Sequence, residues 1–251
     1  MCRLGFISSK KEINVRDLIE GATRYYGRFN PHGIGFSYAV GNDIITIKSE
    51  KNANKFWDEK LSRSPIRSDA AIFHVRYASV GSVCKENSHP ISNEKWTLAH
   101  NGTLTNYEAA KRFLENKGYR FKTTVDSEIL LAAWTYYKED FLTWLSNLGV
   151  MGWYTILILG RDRKIRAVTN TGDLVVYKRD YDALGFSDSR FRSLKKKYKI
   201  EEDVLYTFYK GRRESQKYIG ELSERRKIER KSVDEPKLFS WARLFNDKKS
   251  M

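Results

Sequence analysis

Apolar positions along this chain recur with two different periods. Cys2–Ser8 is a short run, partly β-branched and aromatic, closed by Ser-Ser-Lys-Lys, and predicts a buried strand. From Val15 to Tyr26 the apolar residues Val15, Leu18, Ile19, Ala22 and Tyr25 fall at helical spacing behind Asn14, a capping residue type. Gly33–Val40 and Asp43–Lys48 flank Gly41-Asn42, a hairpin signal. Asn52–Leu61 reads as helix, and Ala70–Tyr77 and Trp96–His100 read as strands, each running into a polar loop with glycine. Two helices follow: Asn106–Lys117, closed by Gly118, and Asp126–Tyr137, with Ile129, Leu130 and Ala133 on one face. Trp153–Gly160, Lys164–Thr169, Leu174–Lys178 and Val204–Tyr209 then predict successive strands of a meander. Strands, helices and strands again describe a layered α+β fold rather than a repeating βαβ wind. Beyond Gly211 the pattern gives way to charged clusters. The expected organisation is one domain over residues 2–210 with a basic C-terminal extension over 211–251.

Composition narrows the class. The chain has 251 residues, 41% of them hydrophobic and 14% aromatic, enough to fill a core. No run of eighteen apolar residues and no secretory leader is visible, so a cytoplasmic protein that does not span a membrane is expected. With only Cys2 and Cys84, free thiols are favoured over a disulfide. The formal charge is +15, and from Arg190 onward 19 Lys/Arg stand against 10 Asp/Glu, a net of +9. That excess fits nucleic-acid phosphates or the ion-paired surface of a thermophile, for which a single glutamine, Gln216, also speaks; the surface reading is favoured about two to one.

Four segments carry candidate chemistry. Cys2 directly follows the initiator, and its small side chain permits removal of Met1. Its thiol would then share a residue with a free α-amine titrating near 8, which supplies a nucleophile with its own base. Arg76 ends a strand in His74-Val75-Arg76-Tyr77-Ala78-Ser79-Val80-Gly81, where a guanidinium can grip a carboxylate. Asn101-Gly102 offers a side-chain amide and a backbone N–H converging as an oxyanion needs, or a plain turn. Asp126, in Thr124-Val125-Asp126-Ser127-Glu128, suits a ligand ammonium or a helix cap. His74, His89, His100 and Cys84 match no metal-site spacing, so neither a metal nor another cofactor is expected. Gly33, Gly35, Gly81 and Gly102 form no phosphate-binding loop. Gly185-Phe186-Ser187-Asp188-Ser189 stays without a role.

Taken together, Cys2, Arg76, Asn101-Gly102 and Asp126, in this order, resemble the class II glutamine amidotransferases. Met1-Cys2-Arg3-Leu4, His32-Gly33-Ile34-Gly35, Asn87-Ser88-His89-Pro90-Ile91 and the Asp126-Ser127-Glu128 run strengthen the likeness, which spans residues 1 to about 210. The resemblance implies an N-terminal nucleophile hydrolase fold, a four-layer αββα sandwich of two mostly antiparallel sheets. It implies Cys2 as nucleophile, Asn101 and Gly102 as oxyanion donors, and Arg76, the Ser79 region and Asp126 as holders of the substrate's α-carboxylate and α-ammonium. The expected activity is hydrolysis of the glutamine side-chain amide through a thioester, releasing ammonia, with the chain either working alone or delivering it to a separate synthase subunit. A γ-glutamyl peptide or amide hydrolase fits the same residues. A silent homologue, binding nucleic acid or protein through its basic C-terminal region, is the alternative of another class; Phe239, Trp241, Leu244 and Phe245 would be its apolar docking residues.

Overall fold

The computed structural model describes residues 2–60, 64–179, 182–187, 197–219 and 222. Met1, most of the Arg190–Lys199 basic run, and the extension from 223 onward with its Phe239–Phe245 cluster lie outside the described residues.

The first strand, β1 (Arg3–Asn14), runs further than its apolar opening suggests and passes straight into helix α1 (Val15–Gly27). Asn14 caps that helix as expected, its Oδ1 accepting from Arg16 N at 3.2 Å. Val15, Ile19, Ala22 and Tyr26 bury one face of α1 at i, i+4, i+7 and i+11. The hairpin of β2 (Ile34–Val40) and β3 (Asp43–Ser49) turns on Gly41-Asn42, with Gly41 at φ 55°. Then come α2 (Ala53–Lys60), β4 (Arg67–Val75), the two-residue β5 (Ile91–Ser92) and β6 (Trp96–Thr105). Three helices follow, α3 (Glu108–Asn116), α4 (Ser127–Tyr137) and α5 (Phe141–Asn147), the last not foreseen from the sequence. The remaining strands are β7 (Met151–Gly160), β8 (Ile165–Thr169), β9 (Val175–Arg179), β10 (Asp182–Phe186), β11 (Lys197–Lys199), β12 (Val204–Tyr209) and β13 (Arg212–Tyr218).

These strands form two antiparallel sheets, ordered β11-β9-β10-β1-β4-β2-β3 and β13-β12-β8-β7-β6-β5. Helices α1 and α2 cover the outer face of the first sheet, where Ile19, Tyr26, Phe56 and Trp57 pack on Phe36 and Phe73. Helices α3 to α5 cover the second, with Leu130, Trp134 and Leu145 against Leu98, Ile156 and Ile158. Between the sheets Leu4, Phe6 and Ile72 meet Ala99, Leu157 and Phe208. The result is the αββα sandwich that the resemblance implies.

The expected meander breaks in two. β8 pairs with β7 and β12, whereas β9 belongs to the other sheet, between β10 and β11. Leu174 and Val176 pack between the sheets while Val175 and Tyr177 pack under the helices, so the run is apolar on both faces and its periodicity names no partner. The ordered sheet also continues past residue 210, because β13 pairs with β12 from Tyr209↔Arg212 to Val204↔Tyr218. All seven residues of β13 are exposed, so the strand is held by its backbone ladder and leaves no hydrophobic pattern to read. β10 likewise includes part of the Gly185–Ser189 stretch that had no role.

Candidate active site

Cys2 stands one step before β1, which lies between β4 and β10. By alternation with Leu4 and Phe6 its side chain faces the gap between the sheets. Ser187 fixes this end of the strand: its Oγ accepts from Leu4 N and its N–H donates to Leu4 O, both at 3.0 Å. The half-buried thiol sits on the residue after Arg76, donating to Tyr77 O at 3.4 Å and accepting from Tyr77 N at 3.3 Å. Burial pushes the thiol up, and neither the Tyr77 N–H nor the Arg76 guanidinium offsets it. The resting sulfur is therefore a protonated thiol, and its attack needs a base.

Arg76 is buried where β4 ends, its N–H donating to Gly33 O at 2.8 Å. Its guanidinium turns onto the loop that follows: Nη1 donates to Ser82 O at 2.8 Å, and Nη2 to Val80 O at 2.8 Å and Gly81 O at 3.3 Å. Of five donor hydrogens, Nε–H and one on Nη1 are left for a ligand. Gly81, at φ 73°, lets the loop double back to present those carbonyls. Asn87 holds the loop from behind: its Nδ2 donates to Ser82 O at 3.1 Å and Thr124 Oγ1 at 2.9 Å, and its Oδ1 accepts from Thr124 N at 3.0 Å.

The facing wall comes from the second sheet. Asn101-Gly102 is no turn; β6 runs through it in register with β7, Asn101↔Thr155 and Gly102↔Tyr154. Asn101 follows Ala99 in facing the gap between the sheets, buried, its Oδ1 without a hydrogen-bond partner. A Cβ on Gly102 would run into the Trp153 carbonyl and the His100 ring, so glycine is required there by close packing.

Asp126 occupies the N-cap position of α4, yet its side chain makes no capping bond. Its Oδ2 instead accepts from Leu104 N at 2.6 Å, and its Oδ1 from Ser127 Oγ at 3.3 Å. Glu128, two residues on, binds the loop entering the helix, accepting from Lys122 N at 3.0 Å, Thr123 N at 2.7 Å and Tyr119 Oη at 3.4 Å. Neither Ser127 nor Glu128 was given a role from the sequence, because their partners are set only when α4 docks on β6.

Cys2, Arg76, Ser79, Gly102 and Asp126 line one cleft of about 270 Å³. Asn101 lies beside Gly102 in the strand. The three histidines form a buried group behind it. The rings of His74 and His89 are 4.5 Å apart, His74 Nε2 donates to His100 O at 3.1 Å, and His100 Nδ1 lies 2.8 Å from Ser127 Oγ. Burial pulls all three down, His74 to about 3, so the rings are neutral. Among the described residues no three His, Cys, Asp or Glu side chains converge as metal ligands. Cys84 is a free, half-buried thiol beside Ser82.

Comparison with known proteins fixes the family. The family described as glutamine amidotransferases class-II matches residues 1–133. The chain belongs to that family. Curated relatives include glutamine–fructose-6-phosphate aminotransferase (isomerizing) from Bacteroides thetaiotaomicron, 31% identical over 188 residues, 70% of this chain and 30% of that protein. The enzyme of the same name from Methanococcus maripaludis is 30% identical over 210 residues, 76% of this chain and 34% of that one. This class II chain thus spans about a third of the length of these relatives. Among solved structures, glutamine phosphoribosylpyrophosphate amidotransferase from B. subtilis aligns with TM-score 0.68 and 20% identity, over 87% of this chain and 49% of that one. A glutamine aminotransferase class-II domain protein from Silicibacter pomeroyi aligns with TM-score 0.57 and 16% identity, over 87% of this chain and all of that one. At these identities the structural likeness concerns the fold. Among the described residues no helix is long and apolar enough to cross a membrane.

Proposed function

We propose that this class II amidotransferase hydrolyses the side-chain amide of glutamine, or of a related γ-glutamyl small molecule, through a thioester on Cys2. The observation that carries the reading is the convergence of Cys2, Arg76, Asp126 and the close-packed Gly102 on a single cleft. With Met1 removed, the α-amine of Cys2 takes the thiol proton as sulfur attacks the amide carbonyl. Asn101 Nδ2 and Gly102 N–H stabilise the oxyanion, and the amine returns the proton to the departing ammonia. Water then cleaves the thioester to glutamate. A thiol whose proton burial holds in place suits a mechanism that carries its own base.

Arg76 would direct a remaining N–H at the α-carboxylate, with help from Ser79, and Asp126 would receive the α-ammonium. Delivery of the released ammonia to a partner synthase is part of this reading, and the longer relatives are named for amino transfer from glutamine to fructose 6-phosphate. The test is intact-mass analysis after treatment with a glutamine-analogue electrophile, beside assays of glutamate and ammonia release. A single adduct on a chain lacking Met1, absent in Cys2→Ala, with equimolar products is expected. Amide hydrolysis at full rate by a chain that retains Met1 would overturn the mechanism.

A further inference from the structure

We infer that Ser127, held by the His100 ring, is a positioning residue for Asp126: the chain His100–Ser127–Asp126 fixes where the cleft presents its negative charge and so sets its demand for a free α-ammonium. The inference rests on the reading of Asp126 given above and adds what gives that carboxylate its selectivity.

Ser127 is buried at the first position of α4, between two side chains that would otherwise not meet. A serine hydroxyl has one proton. Donated to Asp126 Oδ1 at 3.3 Å, it leaves Oγ free to accept from His100 Nδ1 at 2.8 Å. That arrangement requires His100 to be the Nδ1–H tautomer. Leu104 N–H, at 2.6 Å, holds the other carboxylate oxygen. With one donor on each oxygen, Asp126 is turned away from capping its own helix and into the cleft, with acceptor capacity to spare on both.

The neutrality of His100 matters as much as its hydrogen bond. An imidazolium at this distance would cancel the Asp126 charge and compete with the substrate's ammonium. Burial keeps the ring neutral against the pull of Asp126. The neighbouring rings of His74 and His89 are neutral for the same reason, so no other histidine pairs with the carboxylate in its place.

The test compares glutamine with glutaramate, the same amide lacking the α-amino group. Wild-type protein should prefer glutamine. Because hydrogen bonds to charged groups contribute about 1.5–3 kcal/mol, Ser127→Ala should lower kcat/KM for glutamine about tenfold or more, mainly through KM. Glutaramate turnover should stay unchanged, so the preference collapses by that factor. A fall shared equally by both substrates, or none with glutamine, overturns the inference. His100→Asn, which places an amide N–H near the lost Nδ1–H, should retain the preference, and His100→Leu should lose it. This pair gives the same reading should Ser127→Ala not fold. Wild-type protein that releases ammonia from neither substrate would instead overturn the functional reading itself.

Discussion

One wall of the cleft is a loop and the other a strand end meeting a helix start, and the two hold their polar groups differently. On the loop side the Arg76 guanidinium spends three hydrogen bonds on the carbonyls of residues 80–82, so the residue expected to grip substrate also builds the surface substrate would touch. On the strand side the duties are divided. Glu128 anchors the incoming loop, Ser127 and Leu104 hold Asp126, and Asp126 keeps its remaining acceptors for the cleft. Binding and architecture are therefore inseparable on the first wall and separable on the second.

Substitutions can break or sharpen that contrast. The largest effect should come where both walls meet the reacting bond: Cys2→Ser should abolish glutamate release and electrophile labelling while leaving the melting temperature within a few degrees. Asn101→Ala removes one oxyanion donor and should lower kcat by roughly two to three decades, read in a steady-state assay; near-normal turnover would remove Asn101 from the mechanism. Arg76→Lys replaces a fork with a point charge and should harm both properties, raising KM for glutamine and costing about 2–4 kcal/mol in denaturant unfolding. A change in KM with unaltered stability would show that the loop does not depend on the guanidinium.

Glu128→Gln and Asp126→Asn should separate on the other wall. Glu128→Gln is expected to cost about 1–3 kcal/mol of stability with little change in catalysis once folded. Asp126→Asn should raise KM at nearly constant stability. If the two behaved alike, the division of labour would fail. The smallest effect is one of pH. His74 titrates near 3 when folded against 6.5 ordinarily, and His89 and His100 are lowered too. Below 6.5 the unfolded chain binds more protons than the folded one, so their stabilising contribution is full above about 6.5 and declines as pH falls toward 3. Melting curves across that range should show the loss, and His74→Gln should flatten it.

Much of this was legible in the sequence because its signals are local. Asn14 as a cap, Gly41-Asn42 as a hairpin turn and the apolar stripe of α1 each depend on near neighbours. The proximity of Cys2 to Arg76 is different in kind, because it follows from the long-range pairing of β1 with β4, Arg3 opposite Val75. What stayed hidden depends on docking. Asn-Gly signals a turn when read alone, yet β7 beside it keeps residues 101–102 extended. An aspartate before a helix signals a cap, and only the Leu104 N–H and Ser127 Oγ draw it elsewhere. β13 shows no pattern because nothing among the described residues covers it, and β9 shows too much because both faces are covered.

The pairing of Leu4 with Ser187 has a consequence for how the protein is made. Synthesis runs from Leu4 towards Ser187, so the partner that locks this end of β1 is translated more than 180 residues after it. Contacts of such long range form late in folding. Through most of synthesis Cys2 therefore sits on an end that Ser187 has not yet secured, and a truncated product lacking Ser187 loses both hydrogen bonds that residue makes with Leu4.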